Sequence, residues 1–146
     1  MENFLSNRVL QATLLPWATA QILKVVIELI MKRRINLRLL TSAGGMPSSH
    51  SAMVIGLATA IAIREGAGSS IFAMSLVLAL VVVYDATGVR RSAGIQAHIL
   101  NQIIDELFQG HPISEIRLRE LLGHTPIEVV AGAALGIVMA WWWMVR

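Results

Sequence analysis

The sequence predicts an all-α fold, a multi-pass transmembrane helical bundle of about four spans plus an amphipathic helix. Three observations carry this. Four stretches are apolar enough and long enough to cross or nearly cross a bilayer. Only 14% of residues are charged while 55% are hydrophobic, against about a quarter charged in a soluble domain, and mean hydropathy is +0.66. The polar and basic residues gather between the apolar stretches.

A spanning helix needs about 20 mostly apolar residues. The first stretch runs from about Leu10 to Met31, the second from about Ser49 to Ile63, the third from about Ser70 to Tyr84, and the fourth from about Ile127 to Val145. Between the third and fourth lies a polar segment. Its first half, Val89 to Phe108, places Ile95, Ile99, Ile103 and Leu107 every four residues, with Arg90, Gly94, His98, Asn101 and Asp105 on another face. That pattern is an amphipathic helix, lying on the membrane or docked against the bundle. Gly110 and Pro112 end it, and a short basic helix from Ser114 to Leu122 is expected to follow. With 146 residues and no repeat or linker, residues 1–146 form one domain. The N-terminus lacks the features of a cleaved signal peptide.

The charge distribution assigns sides. Of twelve Lys and Arg, eight (Lys32, Arg33, Arg34, Arg38, Arg90, Arg91, Arg117 and Arg119) follow the first and third spans. Three (Arg8, Arg64 and Arg146) fall on the other side, and Lys24 lies within the first span. The positive-inside rule puts the eight-charge face in the cytoplasm and both termini opposite. Trp141, Trp142 and Trp143 suit the aromatic belt at the far interface. The chain has no cysteine, which excludes disulfides, thiolate metal sites and cysteine nucleophiles. No other ligand set has metal spacing, and no cofactor is expected.

This geometry gathers the polar motifs at one face. In Gly44–Ala52, GGMPSSHSA, glycines precede a helix start with Pro47 and serines. A helix N-terminus offers free N–H groups and a positive dipole end, which suit a phosphate. His50 in the first turn could trade a proton, or be a solvated histidine beside an ordinary cap. In Leu122–Gly132, LGHTPIEVVAG, Thr125, Pro126 and Glu128 read as a capping box with Pro at the first helical position. His124 sits just outside it. A histidine beside a carboxylate is a nucleophile or base whose tautomer the carboxylate holds; alone it is a loop histidine. Ala52, Gly56 and Ala60 of the second span, and Gly132, Gly136 and Ala140 of the fourth, form small-residue faces that allow close approach. Their meeting would bring His50 and His124 together; otherwise each faces another helix or a second subunit. Asp85 closes the third span before Arg90 and Arg91, whose forks suit phosphate. Near the hydrocarbon, Asp85 is functional or paired with a basic residue. Gln21, Lys24 and Glu28 form one stripe of the first span that should face the bundle interior, with Lys24 and Glu28 neutralising each other.

GGMPSSHSA, YDATGVRRSAGIQAHILN and LRELLGHTPIEV together resemble the divergent branch of the type 2 phosphatidic acid phosphatase family, over about Asn7 to Gly136. Its superfamily includes the vanadium-dependent haloperoxidases. There, a Pro-Ser-Gly-His motif supplies phosphate contacts and a general-acid histidine. A later motif, Ser-Arg, five residues, His and four positions on Asp, supplies the nucleophile and its carboxylate partner. The resemblance implies that His124 is the nucleophile, Glu128 its carboxylate and His50 the acid. Ser48 and Ser49 would hold phosphate with Arg34, Arg38, Arg90 and Arg91, and Asp85 is a further candidate. The sequence departs from the pattern in four places. Ser49 replaces the glycine, Glu128 replaces the aspartate, Leu118 stands where an arginine is expected, and no Arg-Pro dipeptide occurs.

The implied function is phosphohistidine-mediated hydrolysis of a membrane lipid phosphate or prenyl diphosphate. The alternatives are a non-catalytic membrane protein with a degenerate phosphate site, serving lipid binding or assembly, a haloperoxidase using vanadate as the phosphate mimic, and a small transporter. The expected partners are a membrane lipid and a lipid phosphate or diphosphate, with no nucleic acid. The superfamily core has six helices, and a homodimer would make up the difference.

Overall fold

A computed structural model describes residues 6–33, 35–36, 39–40, 45–87, 89–107 and 124–146, with 89–93 and 105–107 by backbone alone. All the extended regular structure among them is α-helical. The helices are α1 (Arg8–Lys32), α2 (Ser49–Glu65), α3 (Ser70–Thr87), α4 (Val89–Leu107) and α5 (Pro126–Val145). α1, α3 and α5 are long and apolar enough to cross a membrane. α2 has 17 residues, the lower limit for a span. It packs against all three, most extensively against α5. About four spans plus an amphipathic helix is therefore the observed architecture. α3 continues three residues past the expected Tyr84, and α2 two past Ile63. The basic helix expected over Ser114–Leu122 lies outside the described residues.

Each helix start is set locally. Asn7 Oδ1 accepts from the amides of Val9 (3.0 Å) and Leu10 (3.2 Å), capping α1. Ser48 Oγ accepts from Ser51 N at 3.3 Å, capping α2. Ser69 Oγ accepts from Phe72 N at 3.2 Å. α1 stops at Arg33, whose φ of 51° is left-handed, and whose amide donates to Leu29 O at 2.9 Å.

Small residues let α2 sit at the centre. Pro16 is fully buried within α1, and its ring leaves the Ala12 carbonyl without a helical donor. Gly56 of α2 closes on that place: a Cβ there would lie 3.2 Å from both Ala12 O and Pro16 Cγ. On its other side α2 meets α5. A Cβ on Gly136 would lie 2.5 Å from Ala52 O, and one on Gly132 would collide with Ser48 O. The two small-residue faces of the sequence do meet each other, and Ala12, Ala60 and Ala140 are completely buried beside them. Most of the large apolar side chains that are exposed lie on α1, α3 and α5, for example Ile30, Met74, Val81 and Ile137. This is the inside-out distribution of a bundle in lipid.

The start of α1 and the end of α5 lie at one end. Arg8 donates to Trp143 O at 2.7 Å, and Trp143 Nε1 donates to Gln11 Oε1 at 3.1 Å. The first turns of α2 and α5 open at the opposite end.

Candidate functional site

At that opposite end, the seam between α2 and α5 carries polar groups in place of alanines. Ser48 N donates to Glu128 O at 2.9 Å, which ties the cap of α2 to the first turn of α5. Ser48, Ser49 and Ser51 are fully buried. Ser51 Oγ lies 3.0 Å from Ser48 Oγ. Two helix N-termini therefore present their positive dipole ends at one place.

His124 is fixed from three helices. Its amide donates to Ala86 O of α3 at 3.1 Å. Its Nδ1 lies 3.0 Å from Glu128 Oε2 of α5. Its ring stands edge-on to His50 of α2, with centroids 6.3 Å apart and planes at 61°. Glu128 Oε2 also accepts from Thr125 N at 3.0 Å. One oxygen thus serves both readings of Glu128, helix cap and histidine partner. A carboxylate only accepts, so Nδ1 carries the proton, and in the neutral ring Nε2 keeps its lone pair. Nε2 is buried and has no hydrogen-bond partner among the described residues, and His124 as a whole is 2% exposed. A buried nitrogen of this kind is rare outside sites that use it.

Lys24 is the residue that the helical spacing misassigned. The expected Lys24–Glu28 pair does not form. Glu28 takes Lys32 at 3.0 Å on the outside of α1. Lys24, 2% exposed, donates from Nζ to Ser49 Oγ at 3.1 Å, and Glu128 interacts with it electrostatically. Its stem runs past Gly45, where an added Cβ would lie 3.6 Å from Lys24 Cδ. Gly45 has φ of 93°, a conformation glycine adopts freely. Two residues of the stripe face inward as expected, Gln21 and Lys24, which are both buried; Glu28 does not. A buried lysine thus stands beside the serines and the histidine–glutamate pair. The signal that finds it is a mid-span lysine, which a membrane protein keeps for a reason.

The other named residues fall elsewhere. Asp85 sits near the end of α3, half-buried, on the flank of the helix. Arg90 and Arg91 belong to the first turn of α4 by backbone. Arg34 and Arg38, and the side chains of Arg90 and Arg91, lie outside the described residues. Among the described residues no group of three or more His, Asp or Glu is placed to hold a metal.

The comparisons agree with this architecture. The model of the divergent PAP2 family matches residues 5–139. An uncharacterized membrane protein, YuiD, of Bacillus subtilis (strain 168) is 40% identical to the chain, with 92% of each chain covered. No solved structure matches. The chain belongs to the divergent PAP2 family, and it is an integral membrane protein.

Proposed function

We propose that this member of the divergent PAP2 family hydrolyses a phosphate ester or diphosphate on a membrane lipid, such as phosphatidate or a prenyl diphosphate, through a phosphohistidine on His124. The observation that carries the proposal is the state of that ring: Nδ1 held by Glu128 and Nε2 buried with its lone pair uncommitted among the described residues.

In the first step Nε2 attacks phosphorus, a P–N bond forms and the P–O bond to the leaving group breaks. His50 gives its proton to the leaving oxygen. Glu128 stabilises the positive ring that results. In the second step His50, now neutral, takes a proton from water. The oxygen attacks phosphorus, and the P–N bond breaks to release phosphate and neutral His124. Lys24 and the N-termini of α2 and α5 supply fixed positive charge for the phosphoryl oxygens. Ser49 Oγ accepts from Lys24, so its own hydroxyl proton is left to donate to the same oxygens. Arg34, Arg38, Arg90 and Arg91 are further candidates for those oxygens. The basic excess that follows the first and third spans in the sequence assigns this end of the bundle to the cytoplasm by the positive-inside rule.

The test is phosphate release by detergent-purified protein from a panel of lipid phosphates and prenyl diphosphates, with His124→Ala and His50→Ala beside it. Release that disappears in the His124 variant supports the proposal. No release from any substrate by folded protein overturns it in favour of a site that binds without turnover.

A further inference from the structure

Ser51 is fully buried in the first turn of α2, yet no step of the reaction above uses it. Its hydroxyl donates to Ser48 Oγ at 3.0 Å, and its amide donates to the same atom at 3.3 Å. We propose that Ser51 is a positioning residue: by filling the acceptor side of Ser48 Oγ, it turns the Ser48 hydroxyl proton toward an anion held beside His124. The proposal rests on the phosphatase reading only for the identity of that anion as a reacting phosphoryl group.

Three observations carry it. First, the bond is unusual for its place. A hydroxyl turned away from solvent in a helix commonly bonds back to a carbonyl of the preceding turn. Thr13 does so to Val9 O, Thr59 to Ile55 O and Ser75 to Phe72 O, each at 2.8 Å. Ser51 gives its proton to a side chain instead. The helix cap does not require this, since the Ser51 amide alone completes the cap. Second, a hydroxyl oxygen has two lone pairs and one proton. Ser51 takes both lone pairs of Ser48 Oγ, so Ser48 can only donate, and among the described residues its proton has no acceptor. Ser48 is fully buried, and a buried donor is satisfied when an anion binds beside it. Third, Ser48 stands at the site. Its amide donates to Glu128 O at 2.9 Å, and the ring of His50, two residues on, meets that of His124. Ser49 is held in the same sense, with Lys24 Nζ on its Oγ at 3.1 Å. Two neighbouring hydroxyls are thus set as donors by two different partners, Ser51 within α2 and Lys24 from α1. A phosphoryl oxygen is a strong acceptor, and a donor already aimed at it needs no reorganisation.

The experiment is a double-mutant cycle on the full chain in mild detergent: Ser48→Ala, Ser51→Ala and the two together, each checked for helix content by circular dichroism. The readouts are kcat/KM for a lipid phosphate and the affinity for inorganic phosphate, measured by calorimetry. Ser51→Ala is expected to lower both about tenfold when Ser48 is present. Beside Ser48→Ala it should lower them less than about twofold, because Ser51 acts through Ser48. Should Ser51→Ala fail to fold, Ser51→Cys takes its place, since a thiol keeps the volume and is a weak donor, and the same loss is expected. A Ser51 variant that binds phosphate as tightly as the wild type overturns the proposal. A loss of equal size with and without Ser48 also overturns it, because a residue that only packs behaves in that way. Phosphate affinity that falls in Ser51→Ala, in a protein that hydrolyses nothing, leaves the positioning role standing and refutes the phosphatase. A folded wild type that neither binds phosphate nor hydrolyses a lipid phosphate overturns both.

Discussion

The two ends of the α2–α5 seam are closed by different chemistry. At the end near the termini, alanines at Ala60 and Ala140 are completely buried, and the polar groups are paired off: Trp143 with Gln11, Arg8 with the Trp143 carbonyl. At the other end the same two helices enclose three serines, a lysine and a histidine, and His124 Nε2 is buried without a hydrogen-bond partner among the described residues. Buried polar groups are costly in lipid-surrounded protein. A bundle needing only to hold together would repeat the first arrangement at both ends. The contrast separates what holds the helices together from what the protein does with them, and it tells which substitutions should divide the two properties.

The largest effect is expected from His124→Ala, which should lower phosphate release by at least about 10³-fold while the protein stays folded and monodisperse in detergent. Glu128→Gln should follow, with a loss of roughly 10²–10⁴-fold. The amide oxygen can still accept from Thr125 N, so helix content should be unchanged by circular dichroism. If activity survives that change, Glu128 is only a cap. Lys24→Met keeps the length of the side chain and removes its charge beside Ser49; turnover should fall about 10²-fold. Gly136→Ala places a methyl against the Ala52 carbonyl and should destabilise by about 1–3 kcal/mol, read as a lower melting temperature, with activity reduced only as far as the site end moves. The smallest effect belongs to the far end. Trp143→Phe removes the bond to Gln11, costs about 1 kcal/mol and should leave turnover within about twofold. A Trp143 variant that loses activity as severely as the Lys24 variant would break the comparison.

Much of this was legible in the sequence because a bilayer enforces simple rules. Apolar length alone located the four helices of the bundle. The small residues Gly132 and Gly136 foretold a close approach, since only glycine lets another backbone come so near. What the sequence left open was which small face met which, and that choice is tertiary: Ser48 N on Glu128 O decides it. Lys24 was misread for a physical reason. The i,i+4 rule is local, and Lys24 and Glu28 satisfy it. Glu28 satisfies it equally well with Lys32, at the water-exposed end of α1, where holding a charge costs less. Lys24 is then left to Ser49, a partner 25 residues away that no spacing rule supplies. The third stretch ended at Tyr84 because it was read from apolar residues, which stop at Asp85. Yet Thr87 Oγ1 bonds back to Val83 O at 3.2 Å and Tyr84 O at 3.1 Å, which carries the helix to the residues that flank Ala86.

The most direct test of the account is to trap the covalent intermediate. The protein is mixed with a lipid phosphate labelled at phosphorus, quenched in alkali within one turnover and digested, and the labelled peptide is sequenced. The account predicts label on the peptide carrying His124, attached at Nε2, stable to alkali and lost in acid, and absent from His124→Ala. Phosphate release without any labelled histidine, together with a His124 variant that turns over normally, would contradict it.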